Sequence, residues 1–217
     1  MIITQPKITC AIPIHSMDRA DYFLNRVLES IVDQSFEDFE VVITDNSNDN
    51  MLERIIRTYA MPIVYHRNPI KGMAQNTNEA IKRSVGRLIK ILYMDDLFAH
   101  KDALKDIVEH FKGHWLISAT DNNRHPRYTS NIHTGNNHLG SPSALTILNE
   151  NPLLFDEKLT WLLDCAYYRE MYDKYGAPVI LKKVNVMIGT HPGQMTHIIS
   201  DERKKWEVDY LAKKFND

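Results

Sequence analysis

Two adjacent carboxylates, Asp95 and Asp96, directly follow the apolar run LIKILYM. At the end of a buried strand, two such charges repel each other and lose water, which is unfavourable without a counter-ion. Mg²⁺ or Mn²⁺ would supply one, since these ions usually bind one or two carboxylates together with substrate phosphates. The alternative is an ordinary turn or helix start, where aspartate is favoured. After a buried strand in an α/β pattern, we prefer the metal site.

Polar residues also end two other apolar runs. His15 follows Pro13 and Ile14, and Asp45 stands in the sequence TDNS. Ligands of open parallel sheets bind at the carboxyl ends of the strands, so we expect these residues to share one crevice with the carboxylate pair. Asp45 taken alone is better explained by an Asx turn.

A third candidate segment, KGMAQN from Lys71 to Asn76, opens a predicted helix. Its free backbone N–H groups and the Lys71 ammonium could face a phosphate group, although the signal alone is weak. The sequence holds neither GxGxxG nor GxxxxGKS/T, which argues against a dinucleotide-binding or P-loop protein.

Two candidates lie in the second half of the chain. Asp164 follows an apolar stretch and precedes a predicted helix, so it is either a helix cap or a base that takes the proton of an acceptor hydroxyl. His191 ends a late apolar strand and could complete a metal shell, with an ordinary loop histidine as the alternative. No HExxH or CxxC spacing occurs, which argues against structural zinc.

The elements that must position these residues follow an α/β pattern. Short β-branched runs alternate with segments of helical spacing, which predicts parallel strands joined by crossover helices. The first half has predicted strands at residues 7–14, 39–44, 62–66 and 88–94, and predicted helices at 22–31, 51–59 and 74–84. Tyr22, Leu24, Val27, Leu28 and Ile31 form the expected apolar face of the first helix.

The second half continues the alternation around a long polar segment. Residues 121–143 show no hydrophobic periodicity, which predicts a loop with a functional role. The other predicted elements are a helix at 101–112, strands at 115–119 and 144–148, a helix at 164–175, a strand pair at 179–188 and a helix at 201–215. We expect one domain over residues 1–217.

Composition narrows the class of protein. The 217 residues carry 26 basic and 28 acidic side chains, so the net charge of −2 gives no reason to expect a nucleic-acid partner. Two cysteines do not suggest a disulfide framework, which favours a reducing, cytoplasmic location. No apolar run is long enough to predict a transmembrane segment.

Four segments, in order, resemble the family 2 glycosyltransferases of GT-A fold, and the resemblance covers essentially the whole chain. The family's first βαβ unit is similar to ITCAIPIHSMDRADYFLNRVLESIVDQSFEDFEVVITDNSNDN. The stretch that leads into its metal-binding carboxylates resembles KGMAQNTNEAIKRSVGRLIKILYMDD. Its acceptor-side segment resembles GNNHLGSPSALTIL, and the region of its base resembles FDEKLTWLLDCAYYREM. This implies a mostly parallel central sheet flanked by helices, with a small mixed portion in the second half.

The resemblance also implies roles for individual residues. Asp45, helped by backbone near Pro13 and Ile14, would hydrogen-bond the nucleotide base. Asp95 would contact the ribose, and Asp96 would ligate the metal.

At the acceptor side, Asp164 would deprotonate the acceptor hydroxyl. Two departures from the family pattern matter here. TDNS stands where DDGS is usual, which leaves the base preference open, and Leu163 replaces the usual glutamate before the base. Asp164 is then the only carboxylate of that pair.

The resemblance implies a nucleotide-binding half (1–99) and an acceptor-side half (100–217). The function that it implies is that of a metal-dependent hexosyltransferase of glycan biosynthesis. It would move a sugar from a nucleoside-diphosphate sugar, with UDP favoured, to a hydroxyl of a glycan or other acceptor, with inversion. Two other classes stay open: a nucleotidyltransferase, and a non-catalytic nucleotide-sugar or carbohydrate-binding domain. Whether the chain is one module of a larger multi-domain enzyme is also open.

Overall fold

The computed structural model describes residues 5–122, 125–135 and 137–216. Its centre is one sheet of eight strands in the order β3-β2-β1-β4-β7-β6-β8-β5. The first four strands pair in parallel and are β1 (Ile8–Ile14), β2 (Phe39–Asp45), β3 (Ile63–Arg67) and β4 (Leu88–Ile91). All seven residues of β1 are buried, as expected of a strand covered on both faces.

The second half of the sheet is mixed. Its strands are β5 (Leu97–Phe98), β6 (Trp115–Asp121), β7 (Leu145–Leu148) and β8 (Val179–Met187). β7 runs antiparallel to both β4 and β6, β8 runs parallel to β6, and β5 runs antiparallel to β8. The predicted combination of a parallel portion and a smaller mixed portion is therefore confirmed.

Seven helices flank the sheet in the described part of the chain. They are α1 (Ala20–Val32), α2 (Met51–Ile56), α3 (Met73–Arg83), α4 (Ala103–His110), α5 (Leu163–Tyr175), α6 (Met195–Ile198) and α7 (Asp201–Asn216). None of these helices is long and apolar enough to cross a bilayer.

Apolar packing covers both faces of the sheet. On one face, α1 buries Phe23, Leu24, Val27, Leu28 and Ile31 against the strands. On the other face, α3 and α5 pack in a second cluster that contains the aromatic residues Trp115, Phe155, Tyr167 and Tyr168. The predicted apolar face of α1 is confirmed except at Tyr22, whose side chain is exposed, and Phe23 is buried in its place.

Several predicted boundaries need correction. The segment 179–188 contains one strand, β8 (Val179–Met187), rather than a strand pair, and the pairing of β8 with β6 shifts register near Ser118 and Ala119. The predicted strand 88–94 ends at Ile91, because a turn follows in which Asp96 N donates to Tyr93 O at 3.0 Å. Strand β5 has only two residues and was not predicted.

The predicted loop at 121–143 is largely irregular where it is described. It contains one isolated bridge, Thr120 to Arg127, and two short 3-10 turns, Ile132–Thr134 and Pro142–Ala144. Residues 123, 124 and 136 of this loop lie outside the described part.

Candidate active site

Three strand ends form the floor of the candidate site. The pairing of β1 with β2 sets Ile14 opposite Asp45, and Leu92 N donates to Ala11 O at 3.0 Å just beyond the end of β4. The loops that leave these strands therefore start side by side, as the sheet topology requires. His15 reaches the surface of the protein. Partial desolvation of its ring lowers its pKa, whereas the charges of the nearby Asp95 and Asp45 carboxylates act to raise it.

The pair formed by Asp95 and His191 is open to a ligand. Nε2 of His191 lies 3.1 Å from Oδ2 of Asp95, and the side chains are 12% and 22% exposed, respectively. The Phe23 ring supports the imidazole, with ring centroids 4.8 Å apart. One nitrogen and one carboxylate group thus converge, and both ligand types suit Mn²⁺. No cluster of three or more such side chains occurs among the described residues, so a cation here would also need ligands from a substrate.

Asp96 has a different environment from its neighbour. The residue is 1% exposed; Oδ2 accepts from Ser141 Oγ at 2.5 Å, and Oδ1 accepts from Gly189 N at 2.9 Å. Burial first, and then repulsion from Asp95, raise the pKa of Asp96 to about 7. Because each oxygen accepts a hydrogen bond from the protein, this geometry supports an anchoring role for Asp96, and the metal ligation that the family resemblance implies for it stays a prediction.

Gly189 is held tightly against the end of β4. A Cβ atom at this position would lie 2.2 Å from the Asp95 carbonyl oxygen, so only glycine fits. The Gly189 carbonyl accepts from Gln194 Nε2 at 2.9 Å, and Ile188 N donates to Asp121 O at 2.7 Å. These contacts fix the loop that carries His191.

A buried lysine lies beneath the carboxylates. Lys90, in β4, is fully buried and its Nζ donates to the Ser143 carbonyl and, at 3.4 Å, to the Leu145 carbonyl. Burial lowers the pKa of Lys90 to about 7. Ser143 Oγ in turn accepts from Tyr93 N at 2.8 Å. Strand β4 and the segment before β7 are thereby tied together under the site.

Asp45 lies beneath the surface of the crevice. It is fully buried, and its carboxylate accepts from Ser47 N and from Tyr65 Oη, each at 2.8 Å. An Arg67 guanidinium nitrogen lies 3.4 Å away. These contacts shape the turn after β2, as the Asx-turn alternative predicts.

The remaining candidate residues from the first half of the chain differ in their exposure to solvent. Asn76 is buried, and its Nδ2 donates to the carbonyls of Ile14 at 3.0 Å and Thr44 at 2.9 Å, which clamps β1 to β2. Pro13 is also buried. Lys71 is exposed at the rim, where its Nζ donates to the carbonyls of Asn46 and Ser47.

Asp164 stands in the first turn of α5. Its Oδ1 accepts from Cys165 N at 2.8 Å, and its Oδ2 accepts from Asn137 Nδ2. Burial is the main cause that raises the pKa of Asp164, and these hydrogen bonds oppose it. A carboxylate with a raised pKa is a better proton acceptor near neutral pH than an exposed one.

Tyr93 relates the two groups of carboxylates. Its hydroxyl lies 3.1 Å from Thr77 Oγ1. Burial chiefly raises the pKa of Tyr93, and the charges of Asp164, Asp95 and Asp96 raise it further. The charges of carboxylates from the turn after β4 and from the first turn of α5 therefore both act on this phenol.

Glu207 holds the segment before Asp164 in place, and the sequence pattern did not identify it. It is fully buried on α7 and accepts from the backbone N–H groups of Thr160 and Trp161, each at 2.9 Å, and of Leu162 at 2.8 Å. These three amides lie directly before the helix that carries Asp164. A glutamate four residues after Arg203 looks like a surface ion pair, so only the tertiary contact reveals its position.

The chain was compared with known families and curated proteins. Residues 12–176 match the family described as Glycosyl transferase family 2. An "Uncharacterized glycosyltransferase" of Rickettsia bellii (strain RML369-C) is 25% identical over 139 residues, which is 62% of this chain and 20% of that protein. The chain thus spans a fifth of the length of this curated relative.

Solved structures share the fold. TarS 1-349 of S. aureus in complex with UDP-GlcNAc superposes with a TM-score of 0.73 and 20% identity, over 94% of this chain and 65% of that one. Glucosyl-3-phosphoglycerate synthase of Mycobacterium tuberculosis, in complex with Mn2+, UDP and glucosyl-3-phosphoglycerate, superposes with a TM-score of 0.63 and 13% identity, over 87% and 73%. The sequence match covers most of this chain and the architecture agrees with these enzymes. The chain belongs to glycosyl transferase family 2, and its single α/β domain has the GT-A fold.

Proposed function

We propose that this domain transfers a sugar from a nucleoside-diphosphate sugar, with UDP as the favoured nucleotide, to an acceptor hydroxyl, with inversion and with a divalent cation. The observation that carries the proposal is the Asp95–His191 pair, in which His191 Nε2 lies 3.1 Å from Asp95 Oδ2; the buried, hydrogen-bonded Asp164 carboxylate supports it. The complexes of TarS with UDP-GlcNAc and of the synthase with UDP and Mn2+ support this choice of donor and cation.

Asp95 and His191 are the residues that we propose to hold Mn²⁺ or Mg²⁺. Their oxygen and nitrogen ligands face each other and are partly exposed, whereas the Asp96 carboxylate is buried and each of its oxygens accepts a hydrogen bond from the protein. A bound cation supplies Lewis-acid stabilisation of the departing diphosphate. This assignment exchanges the roles expected for Asp95 and Asp96: the first binds the metal, and the second anchors the Gly189 loop.

Asp164 is proposed as the general base. The acceptor oxygen attacks the anomeric carbon and forms the new glycosidic bond while the bond to the diphosphate oxygen breaks. The acceptor proton moves to the Asp164 carboxylate, a contribution of roughly 10²–10⁴-fold for general base catalysis. The Cys165 N–H and the Asn137 amide hold the carboxylate in place during this transfer.

For the donor, exposure decides the proposed contacts. His15 and Lys71 reach the surface and are proposed to contact the nucleotide or its phosphates. The base contact of Asp45 stays a proposal, acting with the backbone of Pro13 and Ile14. Asn76 is proposed to act through the strands it clamps.

The wider assignments are proposals as well. Residues 1–99 would bind the nucleotide and residues 100–217 the acceptor. The free, buried thiols of Cys10 and Cys165 are compatible with a reducing, cytoplasmic location. Since the chain spans only a fifth of its curated relative, we propose that it corresponds to one module of a larger enzyme.

The test combines ligand binding with transfer. Melting temperatures would be measured with UDP, GDP and dTDP, each with and without Mn²⁺, because a ligand of the native state raises stability. We expect a Mn²⁺-dependent rise with UDP. Asp164→Asn should keep this rise and lose transfer from UDP-sugars to a panel of hydroxyl acceptors. Binding without transfer by the wild-type chain would favour a non-catalytic module, and release of diphosphate from nucleoside triphosphates would favour a nucleotidyltransferase.

A further inference from the structure

A separate cavity of about 250 Å³ lies beside the candidate active site. It opens between α1 and the ends of β6 and β8, and His191 forms part of its wall. Asp95 and Asp164 are not among its lining residues. The cavity therefore adjoins the proposed cation pair through His191, so a second substrate bound there would lie beside that pair.

The charged wall of this cavity consists of two arginines on α1. The Arg19 guanidinium lies 4.3 Å from the centroid of the Tyr22 ring, and that of Arg26 lies 5.3 Å from the same ring. In the described part of the chain, neither arginine forms an ion pair with a carboxylate. Two guanidinium groups that share one aromatic platform and lack an acidic partner form a favourable environment for a phosphate.

The backbone conformation of Arg19 indicates that its side chain is held in a specific position. Its φ of 57° lies in the left-handed region, which costs a residue with a Cβ on the order of 1 kcal/mol. This conformation sets the Arg19 side chain over the rings of Tyr22 and Phe23 at the start of α1. Such strain persists only where surrounding contacts favour it.

The rest of the wall indicates what else the ligand carries. Oδ1 of Asn122 is buried and has no hydrogen-bond partner among the described atoms, so it could accept from a ligand hydroxyl. Leu97, Met187 and Ile188 supply an apolar side suited to a short carbon chain.

We propose that this cavity binds the acceptor and that the acceptor is a phosphorylated polyol or sugar. Arg19 and Arg26 bind its phosphate, so the acceptor also contacts α1 of the proposed nucleotide-binding half, and Asn122 accepts a hydrogen bond from one of its hydroxyls. The proposal rests on the proposed glycosyl transfer, because it names the substrate class that receives the sugar. The donor diphosphate is the other source of the same chemistry, and the experiment separates the two.

The experiment measures two affinities by calorimetry. Glycerol 3-phosphate is titrated into the wild-type chain with and without saturating UDP and Mn²⁺, with glycerol as the uncharged comparison. UDP with Mn²⁺ is titrated separately. The variant is Arg19→Gln/Arg26→Gln, and the control with the same change in charge is Arg54→Gln/Arg87→Gln, two exposed arginines elsewhere.

We expect glycerol 3-phosphate to bind the wild type and the control, at least tenfold more weakly to the Arg19/Arg26 variant, and glycerol to bind none. UDP affinity should be equal in all three. Equal glycerol 3-phosphate binding by variant and control, or none by the wild type, overturns the proposal. A tenfold loss of UDP affinity in the variant also overturns it, since the arginines would then serve the donor. If the double variant does not fold, Arg26→Gln alone is expected to weaken glycerol 3-phosphate binding several-fold.

Absence of UDP binding to a folded wild type, with glycerol 3-phosphate binding intact, would instead contradict the proposed function. The two failures are therefore distinguishable.

Discussion

Nε2 of His191 lies 3.1 Å from Oδ2 of Asp95, which joins a late loop to the turn after β4. The adjacent carboxylate of Asp96 points into the protein and is bonded by Ser141 and Gly189. Two consecutive aspartates therefore have separate tasks: one presents a ligand atom at the surface, and the other fastens the loop that brings the histidine.

The first prediction separates these tasks by substitution. Asp95→Asn should abolish the Mn²⁺-dependent part of the stabilisation by UDP, because it removes a charged ligand. Asp96→Asn is the matched variant and should lower the melting temperature while keeping that Mn²⁺-dependent part. Thermal unfolding with UDP, with and without Mn²⁺, measures both effects. The reverse pattern would return the metal to Asp96.

The second prediction concerns the tight fit at Gly189. In Gly189→Ala, the new Cβ would meet the Asp95 carbonyl oxygen at 2.2 Å, so the loop must move. Overpacking of this kind costs about 1–3 kcal/mol, and displacement of His191 should weaken Mn²⁺-dependent UDP binding by roughly tenfold. Calorimetric titration gives the affinity, and chemical denaturation gives the stability. An unchanged UDP affinity and an unchanged free energy of unfolding would show that a Cβ atom fits at this position, which would contradict the prediction.

The third prediction concerns the buried carboxylate of α7. Glu207→Ala leaves the N–H groups of Thr160, Trp161 and Leu162 without their acceptor, which should cost about 3 kcal/mol of unfolding free energy. Glu202→Ala, an exposed glutamate in the first turn of the same helix, should cost little. Urea denaturation of both variants provides the measurement, and equal losses would contradict the capping role.

The fourth prediction follows from the Lys90 pKa, which burial lowers to about 7 from 10.5. Above pH 7 the folded state loses this proton while the unfolded chain keeps it, so stability rises with pH. The slope is on the order of 1 kcal/mol per pH unit for one proton. At pH 7 we expect Lys90→Met to have a larger free energy of unfolding than the wild type. This difference should shrink between pH 7 and about 8.5, because only the wild type gains stability from the titration of Lys90.

Urea denaturation at several pH values tests the difference between Lys90→Met and the wild type. A difference that does not change with pH would mean that Lys90 is already neutral at pH 7.

Regular patterns account for the parts of the fold that the sequence predicted. Apolar runs such as that of β1 and the helical spacing of α1 depend on local period, and the structure confirms them. Strand β5 has two residues, too few to show any period, and it exists because it pairs with β8. The predicted strand pair at 179–188 is wrong, because β8 continues as one strand through the register shift in its pairing with β6.

The candidate site shows the same limit of local information. Sequence position identified Asp95, Asp164 and His191 as candidates, and the structure sets the first and last side by side. It could not show which of two consecutive aspartates faces outward, because that depends on hydrogen bonds to Ser141 and Gly189. Glu207 was missed for a related reason: its partners lie 45 to 47 positions away in the chain.

The contact between Asp95 and His191 spans 96 positions of the chain. Contacts of such sequence separation form slowly, because closing a long loop costs conformational entropy before the stabilising contact is made. During synthesis the first four strands can assemble before His191 has been made, but the pair cannot. The order of folding thus delays the proposed cation site until β8 has joined the sheet, and a chain that ends before residue 191 would contain the Asp95 carboxylate without its histidine partner.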